Sequence, residues 1–174
     1  MKGFVTVAEK QQGQAPAELA SRYLATVEFE VGGGLIGIGA SPFGDMRMGY
    51  ITGGRIYGPD INGIVLPGGG NWSRGGRLGE DSSVGTFDAR AVWKMDDGEL
   101  VYVTYTGRTN IPDAARATFA DPSVPDAGPS EYYLRIAPLF ETKSEKYGWL
   151  NGVVAIGVGE RTDFGVRHIF YQVL

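Results

Sequence analysis

The sequence predicts an all-β fold, a single-domain antiparallel β-barrel of about eight to ten strands. Three observations carry this. Runs that alternate apolar and polar residues recur at short spacing, each closed by a turn containing Gly, Pro or Asp. Almost nothing reads as helix, apart from a short stretch in the connection over residues 109–129 and a single turn near the start. The 28 glycines suit the turns, bulges and tight bends of a strongly curved sheet. A barrel is preferred to a sandwich because closure removes exposed edges.

In chain order, residues 1–20 read as a flexible lead-in with a helical turn over 16–22, and 21–174 as the barrel domain. ATVEFEV within 23–31 is a first strand, broken by Gly32-Gly33-Gly34, and 35–39 is a second. After the turn cluster Ser41-Pro42-Phe43-Gly44-Asp45, residues 46–52 and 55–57 are strand material around Gly53-Gly54. Residues 61–66 form another strand, and Pro67-Gly68-Gly69-Gly70 closes it. A loop rich in Gly, Arg and Asp is expected from Asn71 to Val84. Beyond the central hairpin, PDAARATFA predicts one short helix starting at Pro112. Three strands complete the chain, over 131–141, 148–159 and 164–174.

The central hairpin, residues 84–108, gives the most specific reading. Asp96-Asp97-Gly98 is a turn signal between two runs rich in Val, Thr, Tyr and Trp. With Gly98 in the left-handed position Met95 faces Glu99, and the register follows. Trp93 then opposes Val101, Ala91 opposes Val103 and Ala89 opposes Tyr105, which makes an apolar face. The opposite face sets Thr86, Asp88, Arg90, Val92 and Lys94 against Arg108, Thr106, Thr104, Tyr102 and Leu100. Alternation separates the two faces without saying which one points inward.

Composition removes several function classes. A net charge of −4 with no basic block argues against nucleic acid. No apolar run reaches the roughly 20 residues of a membrane helix, and the N-terminal stretch lacks a secretion-signal core, so a cytoplasmic location is the default. The chain has no Cys, and His168 is its one histidine, so thiolate chemistry and poly-His metal sites are not expected within one chain. No nucleophile elbow, Walker sequence or dinucleotide fingerprint is present. A lone strand histidine is read as structural. Neither a metal nor a cofactor is expected.

The run ITGGRIYGPDINGIVLPGGGNW (51–72) resembles the pattern I-T-G-G-x-x-x-G-P-x-x-x-G-x-V-L-P-G-G-x-D-W of the domain-of-unknown-function family number 3237. FDARAVWKMDDGELVYV (87–103) and PSEYYLRIAPLFETKSEKYGWLN (129–151) resemble the same family. The resemblance implies a compact antiparallel β-barrel and says little about activity. Asn71 stands where the family pattern has Asp, which weakens any mechanism resting on a carboxylate there.

The candidate site residues follow from the polar face. Asp88, Arg90, Tyr102 and Arg108 form a catalytic set in which Asp88 is the base and the others stabilise an oxyanion. Arg47, Asn71, Trp72, Tyr133, Arg135, Trp149 and Asn151 are substrate-binding candidates, with Trp72 and Trp149 as apolar walls. Arg135 beside Tyr133 suits planar anion recognition. Small residues following Trp149 and Asn151 (Val153, Ala155 and Gly157) mark either ligand space or close sheet packing. An outward face with surface ion pairs, each contributing roughly 0–1 kcal/mol, explains the same polar pattern. The leading function is a cofactor-independent isomerase, lyase or cyclase acting on a small, partly apolar carbonyl compound in a barrel pocket. The alternatives are a lipocalin-like binder of a small ligand and a filled structural barrel that associates with itself.

Overall fold

The computed structural model describes residues 18–121 and 130–174. Nine strands form one antiparallel sheet: β1 (Ser21–Ser41), β2 (Gly44–Tyr57), β3 (Asn62–Val65), β4 (Gly69–Leu78), β5 (Ser82–Met95), β6 (Leu100–Pro112), β7 (Tyr133–Glu141), β8 (Ala155–Arg161) and β9 (Gly165–Val173). The sheet closes on itself because β1 pairs with β2 on one side and β9 on the other. β3 and β4 lie end to end in the slot between β2 and β5. Between them the chain stays anchored at Leu66, which donates to Val92 O, and at Gly68, which donates to Ile51 O.

The hairpin register is the expected one: Trp93↔Val101, Ala91↔Val103, Ala89↔Tyr105 and Thr86↔Arg108. Gly98 takes a φ of 90°, and Met95 N donates to Glu99 O at 2.8 Å. The apolar face is the inner one. Trp93, Val101, Val103, Tyr105, Phe29 and Phe170 are buried, and Trp93 packs between Phe140 and Phe170 at 5.6 and 6.3 Å. Each such side chain stabilises the fold by about 1.5–3 kcal/mol through removal from water.

Four expectations are corrected. Gly32-Gly33-Gly34 does not end the first strand; β1 runs through it with register shifts against β2 that absorb the extra residues. The expected loop after Asn71 is mostly strand β4, whose backbone pairs with β2 and β5 on its two sides. Residues Gly148–Gly152 form a 3-10 helix rather than the start of a strand. Ser21 and Arg22 belong to β1, not to a helical turn, and the rest of the expected lead-in lies almost wholly outside the described residues.

The short helix is α1 (Asp113–Ala120), with Pro112 at its N-cap. Arg77 grips Asp113 through both carboxylate oxygens at 2.7 and 3.0 Å, tying the helix start to β4 and holding the Asp113 carboxyl below its ordinary pKa. The sequence also places helix-ending prolines at Pro122 and Pro125, which fall outside the described residues. No helix among the described residues is long and apolar enough to cross a membrane.

Candidate functional site on the outer sheet face

Because the apolar face fills the interior, the polar face of β5 and β6 stands on the outside of the barrel wall. The expected location, a pocket inside the barrel, is therefore not where these residues lie. They occupy rows running across β4, β5, β6 and β7. One row sets Trp72, Asp88, Thr106 and Ala137 side by side, and the next sets Arg74, Thr86, Arg108 and Arg135 side by side. On the other flank, Gly70 lies beside Arg90 and Thr104. The Trp72 ring and Met48 side chain lie over Gly70, close enough that a β-carbon there would push both back by a few tenths of an ångström.

Asp88 accepts from Arg90 Nη1 at 2.9 Å, and both side chains are about half exposed. Arg108 Nη1 donates to Thr86 Oγ1 at 2.7 Å and to Gly107 O at 3.0 Å. Arg135 Nη1 donates to Leu134 O at 3.0 Å, and its guanidinium sits 4.6 Å from the centre of the Tyr133 ring. Arg74 turns the other way, toward Met46 Sδ and the Phe43 ring. Tyr102 belongs to the same face but lies about 20 Å along β6 from Arg108, too far for both to touch one small molecule. The proposed catalytic set is thus split, with Asp88 and Arg108 as diagonal neighbours and Tyr102 beyond Arg90.

The remaining candidates scatter. Arg47 pairs with Asp45 at 2.8 Å on the opposite face of β2 from Met48. Asn71 stands in register with Gly49 and Ala89 on the inner face, and its buried Oδ1 has no partner. Asn151 is structural: its side chain accepts from Thr142 N at 2.8 Å and donates to Thr142 O at 2.9 Å. Trp149 lies on the 3-10 helix and lines an open cleft of about 340 Å³ with Arg22, Asp60, Lys146 and Tyr147. In that cleft wall Lys146 bonds Asp97 at 2.7 Å, which lowers the Asp97 pKa and raises that of Lys146. The small residues on β8 are close packing. A β-carbon at Gly157 would meet the Phe170 ring, and one at Gly159 would meet Leu134.

Residues 19–173 match the family described as "Protein of unknown function (DUF3237)". The chain belongs to the DUF3237 family. It is similar to RPA1785 of Rhodopseudomonas palustris, a UPF0311 protein, with 28% identity over 90% of this chain and 97% of that one. The crystal structure of RPA1785, described as a conserved protein of unknown function, gives a TM-score of 0.80 over 91% of this chain and 99% of that one. A beta-barrel like protein of Acinetobacter baumannii gives 0.75 at 27% identity, covering 94% of this chain and 100% of that one. A structure described as an enzyme from Penicillium herquei gives 0.63 at 23% identity over 93% and 99% of the two chains, a likeness of fold. The DUF3237 segments that carry the resemblance, 51–72, 87–103 and 129–151, cover parts of β2 to β7, including Trp72, Asp88, Arg90 and Arg135, while Arg74, Thr86 and Arg108 lie between them.

Sequence reasoning placed Thr86 on this face without giving it a role, and passed over Arg74 and Met48 as members of it. Reading β4 as a loop hid the alternation of Trp72 and Arg74 against Asn71 and Ser73. Among the described residues no group of three or more His, Cys, Asp or Glu stands ready for a metal.

Proposed function

We propose that this DUF3237 protein is a cofactor-free enzyme that takes a small, partly apolar carbonyl compound on the outer face of its barrel wall. The observation that supports this is the pairing of an indole with a carboxylate. Trp72 and Asp88 are direct cross-strand neighbours, with Arg90 steering the carboxylate and Arg108 diagonal to it. In this reading Trp72 is the apolar wall, Asp88 takes a proton from the carbon next to the carbonyl, and Arg108 donates to the oxygen as it becomes an enolate. The Penicillium herquei protein of the same fold is called an enzyme, which agrees with a barrel of this kind serving catalysis.

The test is proton exchange in D2O, followed by 1H NMR on cyclohexanone, acetophenone and a 1,3-diketone. Wild-type protein should speed exchange at the carbon beside the carbonyl above the buffer rate. Asp88→Asn should slow that exchange by about 10²–10⁴-fold, the usual contribution of a positioned base. If wild type exchanges none of the three faster than buffer, the enzymatic reading fails.

A second reading is favoured by the hairpin of β1 and β2 beyond the barrel. Residues 31–43 carry no charge, and Leu35, Ile38 and Phe43 are exposed. This surface suits association with a second copy of the chain.

A further inference from the structure

Arg108 on β6 and Arg135 on β7 are directly opposed in the register, about 5 Å apart at the backbone. Like charges in that position destabilise a sheet unless something answers them. Elsewhere the chain supplies the answer itself. Arg47, Arg77, Arg90, Arg116 and Arg167 each meet a carboxylate. Arg108 and Arg135 meet none among the described residues. Their hydrogen-bond partners are one hydroxyl and two backbone carbonyls, all reached through Nη1. Three N–H groups on Arg108 and four on Arg135 are left over, in a chain whose net charge is −4. Arg22, Arg55, Arg74 and Arg161 also lack a carboxylate, but they sit on separate strands with no second arginine directly opposite.

The surroundings narrow the ligand. Tyr133 holds Arg135 from one side, and Trp72 lies in the adjacent row. Planar forks flanked by aromatic rings match a planar anion attached to an apolar ring better than a compact tetrahedral one. We propose that Arg108 and Arg135 form an anchoring subsite for the carboxylate of a small aromatic acid, with Thr86 fixing the Arg108 fork. This deepens the outer-face reading and rests on it. The substrate would carry its carboxylate at the arginine pair and its reacting carbonyl near Asp88.

The experiment follows the arginine Nε–Hε and tryptophan indole signals of the full chain by 1H–15N NMR. Sodium benzoate, inorganic phosphate and neutral acetophenone are titrated separately. Benzoate should shift the Arg108 and Arg135 signals together, with one dissociation constant. Arg108→Ala and Arg135→Ala should each weaken benzoate at least about tenfold. Arg135→Lys, which keeps the charge and loses the fork, should weaken it by less, and Arg116→Ala should change nothing. Equal shifts across all arginines, phosphate binding as tight as benzoate, or benzoate affinity untouched by both alanine variants would each overturn the inference. Acetophenone separates the two failures. If it still shifts the Trp72 indole, the outer-face reading stands and only the carboxylate class is wrong; if it does not, both fall.

Discussion

His168 sits in the barrel core with its imidazole among Phe29, Tyr105 and Phe170, at ring distances of 5.2, 5.4 and 5.8 Å. Its Nδ1 is buried without a hydrogen-bond partner. Burial alone lowers its pKa from 6.5 to about 3. Below about pH 6.5 the unfolded chain takes up a proton that the folded chain refuses until about pH 3. Stability is therefore full above 6.5 and falls by about 1.4 kcal/mol per pH unit as the pH drops through that window. His168→Phe removes both the titration and the unpaired nitrogen. The variant should be at least as stable as wild type at pH 7, and about 2 kcal/mol better relative to it at pH 5. Urea unfolding at the two pH values measures this, and parallel losses in both proteins would show that His168 does not set the acid limb. Here the sequence was readable: a lone histidine on an alternating strand is a core residue, and that is its place.

The β6 strand depends on a position where no side chain fits. Gly107 lies on the inner face, and a β-carbon there would overlap the Phe87 ring and press on Arg135 O. Gly107→Ala should cost about 1–3 kcal/mol through forced movement of the ring and the β7 backbone. Gly76 has open space around it and no left-handed φ, so Gly76→Ala should stay within about 0.5 kcal/mol of wild type. Comparing the two by urea midpoint separates packing from general glycine effects. The same contrast explains which elements were legible. The β5–β6 register followed from Asp96-Asp97-Gly98 and clean alternation on both sides. β4 was hidden because Gly75 and Gly76 contribute no alternation, although their backbones pair with neighbours. The 3-10 helix at Gly148–Gly152 was hidden because WLNGVV is apolar enough for a buried strand, and a single helical turn leaves too short a period to detect.

For the molecule as a whole, the sequence showed that there are two faces but not which one is inside, since a filled barrel and a wet one share the same alternation. Volume decides it: Trp93 meets Phe140 and Phe170, Phe29 meets Tyr105 and His168, and these rings occupy the space a lumen ligand would need. The proposed chemistry accordingly belongs to the outer wall, and the proposed association to the projecting β1–β2 hairpin. β9 leaves β1 after Glu30↔Gly165, so from Gly32 onward one edge of β1 has no strand beside it among the described residues. Phe43, at the tip, is 77% exposed. An uncharged apolar edge of this kind pairs readily with its own copy. Sedimentation velocity should show wild type associating with rising concentration, and Ile38→Lys with Phe43→Ser should restore a monomer. A monomeric wild type at every concentration would remove the self-association reading.

Ring closure also sets a schedule for synthesis. The seam joins Ser21 to Val173, the first described strand to the last. On the ribosome, β1 to β8 must emerge and pair while the flank of β1 that faces β9 still has no partner. Until the last strand clears the exit tunnel, the nascent chain carries an open sheet with two unsatisfied edges, one of them continuous with the uncharged hairpin. Nascent chains on neighbouring ribosomes of one message would meet through those edges, so chaperone demand should fall once β9 has emerged and paired with β1.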